Sequence, residues 1–153
     1  MNIFVLDKDP IKAAQMQCDR HVVKMALETT QLLCSIFPPS IAPYKRTHYN
    51  HPCAKWTRAS IKNYGWLLNH GNALCKEYTF RYGKEHKCKQ IIKWCEDNLQ
   101  LNMFEGFDLT PFPKCMPEEC KTSDIVDSYR NYYIIHKKDI AKWSKREVPS
   151  WWG

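Results

Sequence analysis

At 153 residues the chain can bury one core without disulfides or a structural metal, so the expected unit is a single domain over 1–153. Its formal charge of +7 is spread along the chain, and 13% of its residues are aromatic, a surface that attracts phosphates and can stack bases. Eight cysteines without a Cys-x-x-Cys pair, a start (MNIFVLDKDP) without a basic-then-apolar leader, and no run of about 18 apolar residues argue against a secreted disulfide scaffold and a membrane span. The expectation is a cytoplasmic protein with reduced, mostly buried thiols.

In chain order, Asn2 to Leu6 (NIFVL) reads as a brief strand or an extended segment laid across the core. Asp9-Pro10 opens a helix with a capping carboxylate and a proline that needs no N–H. The helical pattern runs to about Phe37, with a break near Cys18-Asp19, and turns Val22, Met25, Ala26, Leu32, Leu33 and Ile36 inward. Pro38, Pro39 and Pro43 end it. Tyr44 to Cys53 (YKRTHYNHPC) is a basic loop with tyrosines interleaved. It leads into the longest predicted element, one uninterrupted helix from Pro52 to His86 that stops near Gly83.

That helix carries an apolar stripe (Trp56, Tyr64, Leu67, Leu68, Leu74, Cys75, Tyr78) and beside it a polar row of Ser60, Asn63, His70, Glu77 and Arg81. The row is either a solvated flank or the wall of a polar site. A shorter helix follows over Lys87–Asn98. The Pro- and Phe-rich loop over 102–121 is long enough to cover something. A last helix runs from Ser123 to about Trp143, and the tail over 142–153 (KWSKREVPSWWG) is basic and aromatic. The predicted fold is all-α, with four or five helices around a long central one and at most one short N-terminal strand.

Chemistry can sit in a few places. His21, Lys24 and Glu28 recur at helical spacing, so an imidazole, an amine and a carboxylate can meet on one face, a set suited to proton transfer and imine formation. The bland alternative is an exposed Lys24–Glu28 ion pair. Cys18 lies one turn from His21, but nothing else in the sequence lowers its pKa. His48, His51 and Cys53 offer zinc-type ligands. Without a Cys-x-x-Cys pair or an acidic partner they read instead as a capped, hydrogen-bonded loop, and no metal or cofactor is expected. The cations and rings available to nucleic acid are Arg20, Lys45, Arg46, His48, Arg58, Arg81, Arg130, Lys137, Arg146 and Trp151.

The order of these features resembles that of the phage pyrimidine-dimer DNA glycosylases of the endonuclease V type. The shared layout is a short apolar N-terminus, a helix bearing His21 and Glu28, and a long central helix (NYGWLLNHGNALCKEYTFRYG). A loop with Met116-Pro117-Glu118-Glu119 and the terminal VPSWWG complete it. The resemblance implies an all-α fold and binding to damaged duplex DNA. It further implies attack of an amine on the sugar C1′, departure of the base, and β-elimination through an imine.

In that family the amine is the N-terminus and a glutamate moves protons. Glu28 would be that carboxylate, with His21 near the DNA backbone and Arg20, Lys45 and Arg46 on phosphates. The family exposes a small second residue, whereas Asn2 is large and keeps Met1 in place. The nucleophile is therefore Met1 or Lys24, or the chemistry is absent. The rival readings are a non-catalytic DNA- or protein-binding module, and a nuclease or nucleotide-modifying enzyme built on His48, His51, Asn63, His70 and Glu77. Damaged duplex DNA is the expected partner, with no obligatory protein partner.

Overall fold

The computed structural model describes residues 1–153. Helices occupy Pro10–Met16 (α1), Asp19–Cys34 (α2), Pro52–Ala59 (α3), Ile61–Tyr82 (α4), Cys88–Asn98 (α5) and Ile125–His136 (α6). Short 3₁₀ turns lie at Leu101–Met103 and Glu118–Cys120. No strand forms; Asn2 to Leu6 is buried non-helical backbone laid into the core. The fold is all-α as predicted, with six α-helices rather than four or five.

Asp9 Oδ1 accepts from the backbone N–H of Ile11 at 2.8 Å, with Pro10 at the first helical position. The expected break falls between α1 and α2, where Gln17 and Cys18 are extended. α4 packs against α1, α2, α3 and α5, so it is the central helix. Gly83, at φ 72°, ends it in the left-handed conformation that favours glycine and donates to Thr79 O at 2.8 Å.

The stretch from Pro52 to His86 is not one helix. Ser60 is extended (φ −154°, ψ 159°), and its Oγ accepts from Asn63 N at 3.1 Å to cap α4. The first two donors of α4 go to a different segment: Ile61 N to Gly106 O and Lys62 N to Phe107 O, both at 3.0 Å. This approach requires glycine, since a Cβ on Gly106 would lie 2.5 Å from Ala59 O. Asn63 Nδ2 then bridges Trp56 O and Thr110 Oγ1, each at 2.8 Å. A distant loop supplies the bonds that the broken helix gives up.

The last helix also differs from expectation. It ends at His136, and the chain then turns back on itself at Lys137. Lys142 O accepts from Asp19 N at 2.7 Å, Trp143 Nε1 donates to Met16 O at 2.7 Å, and Ser144 Oγ donates to Asp19 Oδ2 at 2.6 Å. The tail is thus docked at the α1–α2 junction. Trp151 and Trp152 pack against the core rather than standing in solvent.

The polar row of α4 is neither a solvated flank nor an open wall. Ser60, Asn63, His70, Glu77 and Arg81 are all buried. His70 Nδ1 donates to Pro10 O at 2.9 Å, which leaves Nε2 to accept from Gln17 Nε2 at 3.3 Å. Glu77 receives Arg81 Nε at 2.8 Å and two bonds from Arg146 at 2.9 Å. These bonds hold α1, the α1–α2 junction and the tail against α4.

Burial lowers the pKa of His70 to about 4, and burial first, then Lys137 and Lys24, lowers that of His21 to about 3. In the unfolded chain both titrate near 6.5. Between those values the unfolded state holds more protons, so stability is fully present above pH 6.5 and falls as pH drops toward 4. His70 alone accounts for a loss of about 3 kcal/mol across that window. Denaturant titrations at pH 7 and pH 5 should show a clear fall in midpoint, smaller in His70→Gln. Equal midpoints in the wild-type protein would contradict a neutral buried pair.

Candidate active site

The site begins with how residue 2 is held. Asn2 Oδ1 accepts from Ile3 N at 2.8 Å and Phe4 N at 3.2 Å, and its Nδ2 donates to Cys115 O at 2.8 Å. Phe4 follows at φ 58°, an uncommon backbone for a non-glycine residue. Its ring is packed among His21 (4.3 Å), Tyr129 (5.9 Å), Tyr132 and Tyr133 (both 5.7 Å). The segment is therefore pegged at both ends.

This places the Met1 amine 3.4 Å from Glu28 Oε1, while Asn2 N donates to the same oxygen at 3.1 Å. The Met1 side chain is 2% exposed although the residue as a whole is only partly buried, so its exposure lies on the main chain. On the other side of the carboxylate, Lys24 Nζ stands 3.9 Å from Glu28 Oε2, with its side chain 71% exposed. Met1, Glu28 and Lys24 thus form one cluster, two amines flanking a buried carboxylate.

His21 lies one to two turns behind them on α2 and is buried. Its Nδ1 is 2.6 Å from the Tyr133 hydroxyl, which also touches Cys18 Sγ at 3.6 Å. Both Cys18 and His21 therefore bond to a tyrosine inside the fold.

Around the cluster the surface is cationic. Arg20 is exposed on α2, and Lys137 lies over the rings of Tyr132 (4.7 Å) and Phe4 (5.7 Å). His51 caps α3, its Nδ1 accepting from Cys53 N at 3.0 Å, as the sequence suggested. Burial first, then the Met1 amine and His48, lower its pKa, while Glu28 opposes them. The preceding loop exposes Lys45, Arg46 and His48, and His48 Nδ1 pairs with Thr47 Oγ1. The Tyr49 ring is held between the guanidinium groups of Arg46 (4.2 Å) and Arg58 (3.7 Å). An open groove of about 440 Å³ separates this loop from the α2 residues Leu27 and Gln31, which flank Glu28 in sequence.

Two of the cations expected on phosphates, Arg81 and Arg146, stand in ion pairs with Glu77. Arg81 has no exposed side-chain surface and donates to Glu77, Asp19, Gln15 O and Gln17 O. Arg146 makes a two-bond pair with Glu77 and lies over Phe80 at 4.3 Å. Arg130 is half-buried, donating to Leu6 O at 2.9 Å and standing 5.5 Å from the Trp151 ring. Trp151 itself meets Tyr133 edge-on at 5.9 Å.

The residues of the nuclease reading do not converge either, because Asn63, His70 and Glu77 have their polar atoms bonded inside the fold. A cavity of about 580 Å³ beside Pro10, Phe80 and Arg146 is lined by none of Met1, Lys24 or Glu28. Sequence reasoning missed Asn2 as an anchor, Tyr133 as the partner of His21, and Cys115 as the residue that receives Asn2.

Fold and site together define a small helical protein whose cationic face surrounds an amine–carboxylate pair. The chain belongs to the pyrimidine dimer DNA glycosylase family, whose model matches residues 1–90. The matched stretch contains Met1, Lys24, Glu28, the basic loop and all of α4. Neither a curated protein nor a solved structure matches the chain. At the family level this assigns DNA repair of the glycosylase type, with DNA as substrate. No helix is long and apolar enough to cross a membrane.

Proposed function

We propose that the protein is a cytoplasmic DNA glycosylase and abasic-site lyase for pyrimidine-dimer damage, with the α-amine of Met1 as nucleophile and Glu28 moving its protons. The observation that carries this reading is the Met1 amine 3.4 Å from a buried carboxylate, with its side chain buried and its main chain at the surface. A nucleophile pegged in place gives up less orientational freedom on reaction than one swinging in solvent. Met1 is held by Asn2 and its own buried side chain, whereas Lys24 is a solvated side chain on a helix.

In the proposed sequence Glu28 takes a proton from the amine, whose lone pair then attacks C1′ of the damaged nucleotide. The C1′–base bond breaks, the base leaves with its electron pair, and sugar-ring opening gives the C1′=N imine. Loss of a C2′ proton then expels the 3′ phosphate and nicks the strand. Lys24, Arg20, Lys45, Arg46 and Arg58 bind the flanking phosphates, with Lys137 at the edge. His21, through Tyr133, positions Phe4 and the N-terminal segment.

Borohydride trapping tests the chemistry. Incubation with duplex carrying a thymine dimer or an abasic site should yield a covalent adduct, mapped by mass spectrometry to the Met1 peptide. An adduct on Lys24 would move the nucleophile to α2. With a control lyase trapping normally, no adduct and no nicking would remove imine chemistry from this protein.

A further inference from the structure

A second chemical cluster lies next to the amine and takes no part in the proposed reaction. His51 and Cys53 come from the start of α3, and Cys115 from the loop over 102–121. One ligand atom from each lies within 4.8 Å of the other two. The Cys53 and Cys115 sulfurs are 3.6 Å apart. Two thiolates on a tetrahedral metal, each about 2.3 Å from it, stand about 3.7 Å from one another. A disulfide would need about 2.05 Å.

The three positions are also fixed in advance. Cys53 is fully buried in the first turn of α3. The main chain of Cys115 is held from both sides, its carbonyl by Asn2 Nδ2 at 2.8 Å and its N–H by the Tyr129 hydroxyl at 3.3 Å. That hydroxyl in turn donates to Pro113 O at 2.9 Å.

We propose that His51, Cys53 and Cys115 form a binding site for one thiophilic divalent ion of the zinc class. Two sulfurs and an imidazole suit zinc far better than magnesium or calcium, which take oxygen ligands. Three protein ligands leave a fourth position open, the pattern of sites that bind an exchangeable water or a nearby group. Binding releases the thiol protons to solvent and changes the α3 cap. Whichever ring nitrogen of His51 ligates, the Nδ1 lone pair that accepts from Cys53 N is given up, either to the metal or to a proton.

Two other clusters fit less well. Cys34 and Cys95 approach to 3.7 Å but no third ligand joins them. The set of Glu119, Cys120 and His136 has one thiol, and its other two members already pair at 2.8 Å.

Metal binding at His51 does not depend on the imine chemistry, and either can fail without the other. The test is anaerobic titration of the reduced, chelator-treated protein with Co²⁺, followed by absorption. One equivalent should bind with a sulfur-to-cobalt charge-transfer band that Zn²⁺ bleaches. Cys115→Ser, chosen because Cys115 is only half-buried and checked for helicity, should weaken binding at least about 100-fold, the upper end of what losing a mere hydrogen-bond partner of a ligand costs. Cys34→Ser and Cys120→Ser should bind as the parent does.

A reduced protein that shows no charge-transfer band overturns the site, as does a band that survives Cys115→Ser. If reduced protein takes up no Co²⁺ and air oxidation links the Cys53 and Cys115 peptides, the pair is a redox pair and the metal proposal fails.

Discussion

Glu28→Gln is expected to lower strand nicking about 10²- to 10⁴-fold, the usual worth of a positioned proton-transfer group. The change is nearly isosteric. The amide oxygen can still accept from Asn2 N, now 3.1 Å from Oε1, so the N-terminal segment keeps its anchor. What is lost is the negative charge beside the Met1 amine and the ability to take its proton. The fall should therefore appear in kcat, with affinity for abasic duplex little altered, because the cations of the basic loop are untouched. Borohydride adducts should accumulate correspondingly slowly. Lys24→Ala separates this account from its neighbour: a solvated side chain 3.9 Å from the other carboxylate oxygen should matter to salt-dependent DNA binding and little to kcat. Wild-type nicking by Glu28→Gln, or a collapse of kcat in Lys24→Ala, would reverse the assignment of these two residues.

The readable parts of this molecule were those decided within a turn or two of chain. Asp9-Pro10, the break at Cys18 and the stop at Gly83 are local bargains between capping groups and backbone, and each stands where its residues put it. The i,i+4 spacing of Lys24 and Glu28 likewise brought them together on α2. Ser60 was not readable. Serine fits a helix interior as a neutral residue and a helix start as a cap, and the choice was made by Gly106 and Phe107 some 46 residues away accepting the freed donors.

The polar row of α4 failed for a related reason. Helical spacing says which residues share a face, but not whether water or α1 and the tail will cover it. Arg81 looked like a cation for DNA because its four acceptors, Gln15 O, Gln17 O, Asp19 and Glu77, are mostly remote in sequence. The candidate site was half legible. Glu28 and a choice of two amines came from the sequence, while the pegging of Met1 depends on Cys115, 113 residues from Asn2.

Glu77→Ala is expected to be the most damaging single change away from the active site, costing about 3–5 kcal/mol. The carboxylate is 2% exposed as a residue and receives bonds from two guanidinium groups, Arg81 on its own helix and Arg146 from the tail. Its removal leaves the Arg81 side chain, with no exposed surface, a positive charge paired only by Asp19 at 3.1 Å and two backbone carbonyls. Against a total stability of about 5–15 kcal/mol that loss is large. For a chain this long it should lower Tm by about 10 °C in calorimetry at neutral pH.

Arg146→Ala should cost much less, since that side chain is 34% exposed and its loss leaves Glu77 still paired with Arg81. The asymmetry follows from where the stranded charge lies. A Glu77→Leu, Arg81→Met double variant removes both buried charges together and should recover part of the loss, because a well-packed apolar pair avoids the desolvation cost. Equal Tm values for Glu77→Ala and Arg146→Ala would show that the buried guanidinium is not what the carboxylate holds. Nicking by Glu77→Ala, assayed well below its lowered Tm, should stay near wild type, since Glu77 touches neither Met1 nor Glu28 and acts on the docking of the tail.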